Sequence, residues 1–220
     1  MQNVECRMGN PKLCILHSAF CIYTDCSANL LTNVDLTNNP LLEHFYCHSN
    51  QLTTLDLSHN PRMLWLDCGS NDLVSLDTTQ NPSLELLLCA ENQLTSLDLS
   101  RNVGLQHLVC SGNKLTSLDL THNSALLSVY AEENSYFMDL GRGNTLDLST
   151  LPGNFDVTKA SDWVGGAVSG DILTFSADTV YYTYEMAPGW RETFTIEKMD
   201  NAVRRVAGNN RWDTAIQVAL

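Results

Sequence analysis

The stretch Leu94-Thr-Ser-Leu97-Asp98-Leu99-Ser-Arg-Asn102 is followed almost at once by Leu105-Gln-His-Leu108-Val109-Cys110-Ser-Gly-Asn113, and both follow Leu-x-x-Leu-x-(Leu or Cys)-x-x-Asn. In each half two apolar residues flank a single residue, Leu97 with Leu99 and Leu108 with Cys110, which is the period of two of a β-strand. Both halves therefore predict short β segments. The pair recurs every 21 residues between Leu31 and Asn134, marked by Cys26, Cys47, Cys68, Cys89 and Cys110 and by an asparagine column offset three residues from it, Asn29, Asn50, Asn71, Asn92, Asn113 and Asn134.

A period of this length is the signature of a leucine-rich-repeat solenoid, in which no coil buries its apolar side alone and neighbours stack into a continuous core. Adjacent coils then sit about 4.8 Å apart, so each column in the sequence becomes a physical stack. The expected fold is mostly β, with short parallel strands on both faces of each coil and a small C-terminal β cap module. The cysteines occupy the inward position that Leu57, Leu99 and Leu120 hold in the sister half-repeat. They are expected as small buried hydrophobes and free thiols. Cys6, Cys14 and Cys21 lie outside that column, and a bridge between two of them is left open. The asparagine column, and a second one at Asn39, Asn60, Asn81, Asn102 and Asn123, fall where strands enter turns. There a short arm carrying both donor and acceptor satisfies the backbone, so these columns are expected to be structural.

Composition removes several functions. The net charge is −13, from 12 basic against 25 acidic residues, which argues against a phosphate-backbone partner and hence against nucleic acid. No apolar run reaches the roughly 18 residues of a membrane span. Leu13–Tyr23 contains His17 and leads straight into the first coil, so it does not read as a signal peptide; an export signal would lie upstream of Met1.

The two faces differ in composition. The first half-repeat turns outward a set that hardly varies, Thr54, Asp56, Ser58 then Ser75, Asp77, Thr79 and so on; stacked aspartates repel mildly, and a solvated, aggregation-resistant face is expected. The second half-repeat turns outward Tyr23, His44, Tyr46, His48, Trp65, Leu86, Leu88, His107, Val109 and Tyr130. Aromatic and aliphatic groups in adjacent coils make a recognition surface, and these ten are the candidate ligand-binding residues. Tyr46 and Trp65, one coil apart, are expected to flank one shallow site suited to a sugar ring or a protein hot spot.

Catalysis and metal binding find no support. His44 and His48 lie about 13 Å apart along a strand, too far to share one metal, and Cys47 points inward, so no nucleophile meets a base. Cys14-x-x-His17 with Cys21 and Cys26 fits no strong zinc spacing. No enzyme, cofactor or metal site is expected.

The alternation of the two half-repeats closely resembles the cysteine-column repeats of internalin J-like surface proteins of Gram-positive bacteria. That resemblance implies a curved solenoid whose concave face carries the cysteine-bearing strands, and an adhesin contacting a protein or glycan on a host cell or mucin. Residues Leu151–Tyr184 resemble the β cap that follows such repeats. Val203-Arg-Arg-Val-Ala-Gly208-Asn-Asn-Arg211-Trp-Asp-Thr214-Ala215 resembles the opening of a type 2 cell-wall-binding repeat, with Trp212 for the usual Tyr. It implies attachment to the organism's own cell wall through downstream repeats. The expected organisation is a capping coil over 1–25, solenoid over 26–140, β cap over 141–200 and a truncated wall-binding repeat over 201–220. The expected function is that of an extracellular, wall-attached adhesin; the alternative is a targeting or spacer domain of a larger cell-wall-attached enzyme.

Overall fold

The computed structural model describes residues 13–15 (main chain only), 21–141 and 143–199. The segment resembling a wall-binding repeat, and Cys6 and His17, lie outside them. Strands β1 (Leu13–Ile15), β2 (Tyr23–Asp25), β3 (Asn33–Asp35), β4 (His44–Tyr46), β5 (Trp65–Asp67), β6 (Leu86–Leu88), β7 (His107–Val109) and β8 (Ser128–Tyr130) belong to the repeats. β2, β4, β5, β6, β7 and β8 form one parallel ladder in that order, in a constant register that places His44 on Trp65, Trp65 on Leu86 and Leu86 on His107. The fold is a leucine-rich-repeat solenoid.

Each 21-residue column becomes one buried stack. Leu31, Leu52, Leu73, Leu94 and Leu115 are fully buried, as are Phe45, Leu66, Leu87 and Leu108 and the cysteines from Cys47 to Cys110. Ala131 continues the cysteine column, and Cys21 fills the position of Leu42, Met63, Leu84 and Leu105. Cys21 is thus a core residue of the first coil, and its thiol lies 2.9 Å from the buried hydroxyl of Thr24. Among the described side chains Cys21, Cys26, Cys47, Cys68, Cys89 and Cys110 are free thiols.

The asparagines stitch coils together. Asn71 Nδ2 donates to the carbonyls of Cys68 in its own coil and Cys47 in the preceding one, while its Oδ1 accepts from the Leu52 amide. Asn50, Asn92, Asn113 and Asn134 repeat this on their own neighbours, and Asn29 donates within its coil to Cys26. In the second column Asn60, Asn81, Asn102 and Asn123 donate back to Leu36, Leu57, Thr78 and Leu99.

Strand ladders are narrower than the repeat predicts. On the first half-repeat the described strands pair only as β1 with β3; in the later coils no strand forms there.

The remainder forms two small sheets. β10 (Thr145–Asp147), β13 (Ile172–Phe175) and β12 (Gly166–Ser169) make one, and β11 (Ala160–Val164), β14 (Thr179–Ala187), β15 (Trp190–Lys198) and β9 (Asn134–Met138) make the other. β9, which falls inside the solenoid boundary expected from the sequence at 140, pairs parallel with β15, Asn134 opposite Phe194. Tyr182 stacks on Trp163 at 4.7 Å, and its hydroxyl donates to the Thr116 carbonyl at 2.6 Å. The Leu120 amide donates to Met186. This seals the last coil: Thr116 and Ser117 are buried, whereas Ser96 one coil earlier is exposed. Gly153 makes close approach possible, since its φ is +76° and a Cβ there would lie 2.8 Å from Ser117 Oγ.

Candidate functional site

The ladder sets one residue in two outward, and the constant register lines these up from coil to coil. Its main-chain hydrogen bonding extends past the strands, as Cys47 N donates to Asp67 O and Cys68 N to Leu88 O. The backbone satisfies itself, so the outward side chains carry no structural hydrogen-bonding duty shared by every coil. They vary accordingly.

Tyr23 and Tyr46 meet in a tilted pair with centroids 5.3 Å apart at 44°, and His44 meets Trp65 edge-on at 4.6 Å and 84°. The four rings form two cross-strand pairs over β2, β4 and β5. Trp65 is 40% exposed, Tyr23 38% and Tyr130 52%. Burial, then the negative fields of Tyr23, Asp67 and Asp25, raises the Tyr46 phenol above its ordinary pKa. Both carboxylates therefore stand near that ring, opposite Tyr46 in the register. Each spends Oδ1 on a turn amide, Asp25 on Ser27 and Asp67 on Gly69.

Beyond the rings come Leu86, Leu88 and Val109, with Leu88 and Val109 half-buried, then a polar margin in which His107 Nδ1 lies 2.8 Å from Ser128 Oγ and Ser111 Oγ donates to Glu132 at 2.8 Å. His48 lies past the end of β4, its Nδ1 3.2 Å from Ser49 Oγ. Nine of the ten candidate residues fall within the strands of the ladder, and His48 sits one residue beyond Cys47.

The opposite face has a different use for its side chains. Asp35, Asp56, Asp77, Asp98 and Asp119 each accept the amide two residues on, and Asp35, Asp77 and Asp119 also accept the Thr hydroxyl there. Side-chain and backbone hydrogen bonds from Thr37, Ser58 and Thr79 hold Asp35, Asp56 and Asp77 below the usual carboxylate range. The aspartate column is a column of turn caps. The Asp-x-(Ser or Thr) spacing that signals it is present in the sequence, where charge alone suggests only a solvated face.

At the sealed end this face meets the C-terminal sheets in a groove of about 610 Å³ lined by Asp98, Asp119, His122, Asn154, Lys159 and Tyr184, among others. Lys159 reaches Asp119 across it at 3.7 Å. Sequence could not bring these residues together, because the groove depends on how the last coil docks.

Chemistry is limited elsewhere. Burial pushes Cys26 and Cys110 up to about 12 and raises Cys47, Cys68 and Cys89 as well, so the column holds neutral thiols rather than nucleophiles. Among the described residues no group of three or more His, Cys, Asp or Glu could hold a metal ion, and no helix is long and apolar enough to cross a membrane.

No family model matches the chain, and no curated protein matches it. Among solved structures it is similar to internalin C2 from Listeria monocytogenes, with 20% identity and a TM-score of 0.50 over 51% of this chain and 52% of that one. It is also similar to the functional domain of InlJ from Listeria monocytogenes, which includes a cysteine ladder, with 20% identity and a TM-score of 0.37 over 82% of this chain and 63% of that one. A leucine-rich-repeat protein of Leptospira interrogans matches with 23% identity and a TM-score of 0.49 over 52% and 32%. The chain thus spans less than two thirds of each of these proteins. The likeness to internalin C2 is one of fold.

Proposed function

We propose that this chain is a non-catalytic binding module of a bacterial surface protein, taking its partner on the ladder face through Tyr23, His44, Tyr46, His48, Trp65, Leu86, Leu88, His107, Val109 and Tyr130. The observation that carries the reading is the contrast within each coil. The aspartate face repeats one residue set committed to turns, whereas the ladder face changes residue in every coil on an unchanging backbone. Exposed rings held in cross-strand pairs lose little rotamer freedom when a partner docks, so their apolar area counts in full. The resemblance to cysteine-column surface proteins supports an adhesin displayed on the cell wall, with a protein or glycoconjugate of a host cell or mucin as partner.

The test is binding of the purified chain to host-cell surfaces, to mucin and to the organism's own cell wall, beside a Tyr46→Ala/Trp65→Ala double variant. Binding to a host target that the variant loses, by about 100-fold for two hot-spot rings, supports an adhesin with its site on the ladder. Binding that the variant keeps moves the site off this face.

A further inference from the structure

The ladder face carries a second regularity, in its charge. From Tyr23 to Glu132 none of its outward residues is Lys or Arg, while Asp25, Asp67 and Glu132 are acidic. Glu43 and Glu85 immediately precede β4 and β6, and Glu91 stands in the turn that follows β6. Of the described cations of the coils, Arg62 and Arg101 lie in the turns that lead from the aspartate face toward β5 and β7, and Lys114 follows the turn that leaves β7, so none stands on the ladder strands themselves. The acidic groups are also not scattered with respect to the rings. Asp25 and Asp67 share one register row with Tyr46, one on each neighbouring strand, which puts each about 4.8 Å from it. Each has only Oδ1 engaged among the described residues.

Resting on the reading of the ladder as the binding face, we propose that its partner is a basic polypeptide segment. An Arg or Lys side chain would lie on the Tyr23–Tyr46 pair between the Asp25 and Asp67 carboxylates, and the apolar part of the segment would cover Trp65 and Leu88. The aromatic faces attract the cation through their quadrupole, and the free Oδ2 atoms take its N–H donors in charge-assisted hydrogen bonds. An acidic glycan chain, sialylated or sulfated, meets the same field with the wrong sign. Charge complementarity of this kind raises the on-rate and selects among partners, so binding weakens with salt.

The experiment compares the whole chain with Trp65→Ala and with two variants of equal charge, Asp25→Asn/Asp67→Asn on the ladder and Asp56→Asn/Asp77→Asn on the opposite face. The probes are a fluorescein-labelled peptide of alternating Arg and Gly, its Glu-Gly counterpart, and desialylated mucin. We expect the Arg peptide to bind, the Glu peptide not to, and the ladder variant to lose about tenfold, the order of one cation–π and carboxylate contact. The opposite-face variant should change by less than about twofold, since its carboxylates stand on the other side of the buried core and salt screens what reaches across it. Equal loss in both variants would mean diffuse attraction by an acidic protein and would overturn the proposal. Mucin binding that Trp65→Ala abolishes and Asp25→Asn/Asp67→Asn leaves intact would overturn the basic partner while keeping the ladder as the binding face. Indifference of every probe to every ladder variant would overturn both.

Discussion

The two faces of each coil are built from the same half-repeat motif, yet they answer to different constraints. On the ladder face main chain bonds to main chain, coil after coil, and the outward side chains are released. On the aspartate face side chains complete the turns: Asp56 caps Ser58, Asp77 caps Thr79, and Asn60 and Asn81 reach back to the preceding coil. Sequence can vary where the backbone satisfies itself, and it repeats where side chains do that work. Recognition belongs on the first kind of surface.

The largest expected effect comes from moving between outside and inside. Leu97 is 7% exposed in the core and Trp65 is 40% exposed on the ladder. Leu97→Asp buries an unpaired carboxylate and should cost more than about 4 kcal/mol, abolishing cooperative unfolding. Trp65→Ala should cost about 1 kcal/mol, because much of its area is already wet. Urea melts followed by circular dichroism measure both, and equal losses would undo the assignment of faces.

The two asparagine columns sharpen the comparison. Asn71 is the partner of the Leu52 amide, and a backbone N–H has one bond to give. Asn81 donates to the carbonyls of Leu57 and Asn60, which also accept amides from Asn60 and Met63, while its own Oδ1 is unpaired and buried. Asn71→Ala therefore strands a buried donor and should cost about 3 kcal/mol, against about 1 kcal/mol for Asn81→Ala. Reversal of that order in the urea midpoints would show that the ladder side does not depend on its asparagines as described. Thr78 supports the same reasoning from the other direction. It stands buried in the column of Leu57 and Leu99, and its hydroxyl donates at 2.8 Å to Asn102 Oδ1, the oxygen whose equivalents in Asn60, Asn81 and Asn123 lack a partner.

Acid and base should erode the two halves of the coil separately. The turn caps hold Asp35, Asp56 and Asp77 below their ordinary range. Their contribution is present above the unfolded pKa of about 3.9 and disappears as pH falls through the lower folded values. The cysteine column works in the opposite sense. Burial raises Cys26 and Cys110 to about 12, so their contribution is complete below the unfolded pKa of about 8.5 and is lost as pH rises toward the folded value. Urea midpoints should fall on both sides of a neutral plateau. Asp56→Asn/Asp77→Asn, which keeps an oxygen for the cap, should flatten the acid limb alone, and Cys26→Ala/Cys110→Ala the alkaline limb alone. A variant that flattens the other limb would contradict the division.

What the sequence made legible follows the same line. The 21-residue period reveals the solenoid because stacking converts sequence spacing into contact, and inward and outward positions follow from a period of two. Less visible was anything needing a partner out of period. Cys21 belongs to the column of Leu42 and Met63, but a cysteine among leucines at an atypical first coil carries no such signal. β9 pairs with β15, about sixty residues on, and nothing local in Asn134–Met138 announces it. The groove at Asp119, Asn154 and Lys159 shares that cause. The aspartate caps were legible in spacing and hidden by charge, since five like carboxylates look first like a repulsive stripe.

The smallest expected effect concerns the turn that leaves the ladder. Ala28, Ser49, Ser70, Glu91, Gly112 and Glu133 recur at one position per coil, each with φ between 52° and 64°. Left-handed backbone costs an L-residue about 1 kcal/mol, and only the coil at Gly112 uses glycine to avoid it. The position precedes each stitching asparagine, so the turn geometry is fixed by the amide contacts rather than by the residue in it. Ser70 is exposed, and Ser70→Gly should relieve the strain while loosening the unfolded chain, a net gain of a few tenths of a kcal/mol. Gly112→Ala should lose about 1 kcal/mol and displace the Glu91 carboxylate, whose Oε1 lies 2.6 Å from where the new Cβ would stand. Opposite signs in paired urea melts locate the strain in the backbone of the ladder turn, and a loss in both variants would mean that Ser70 contributes something other than its conformation.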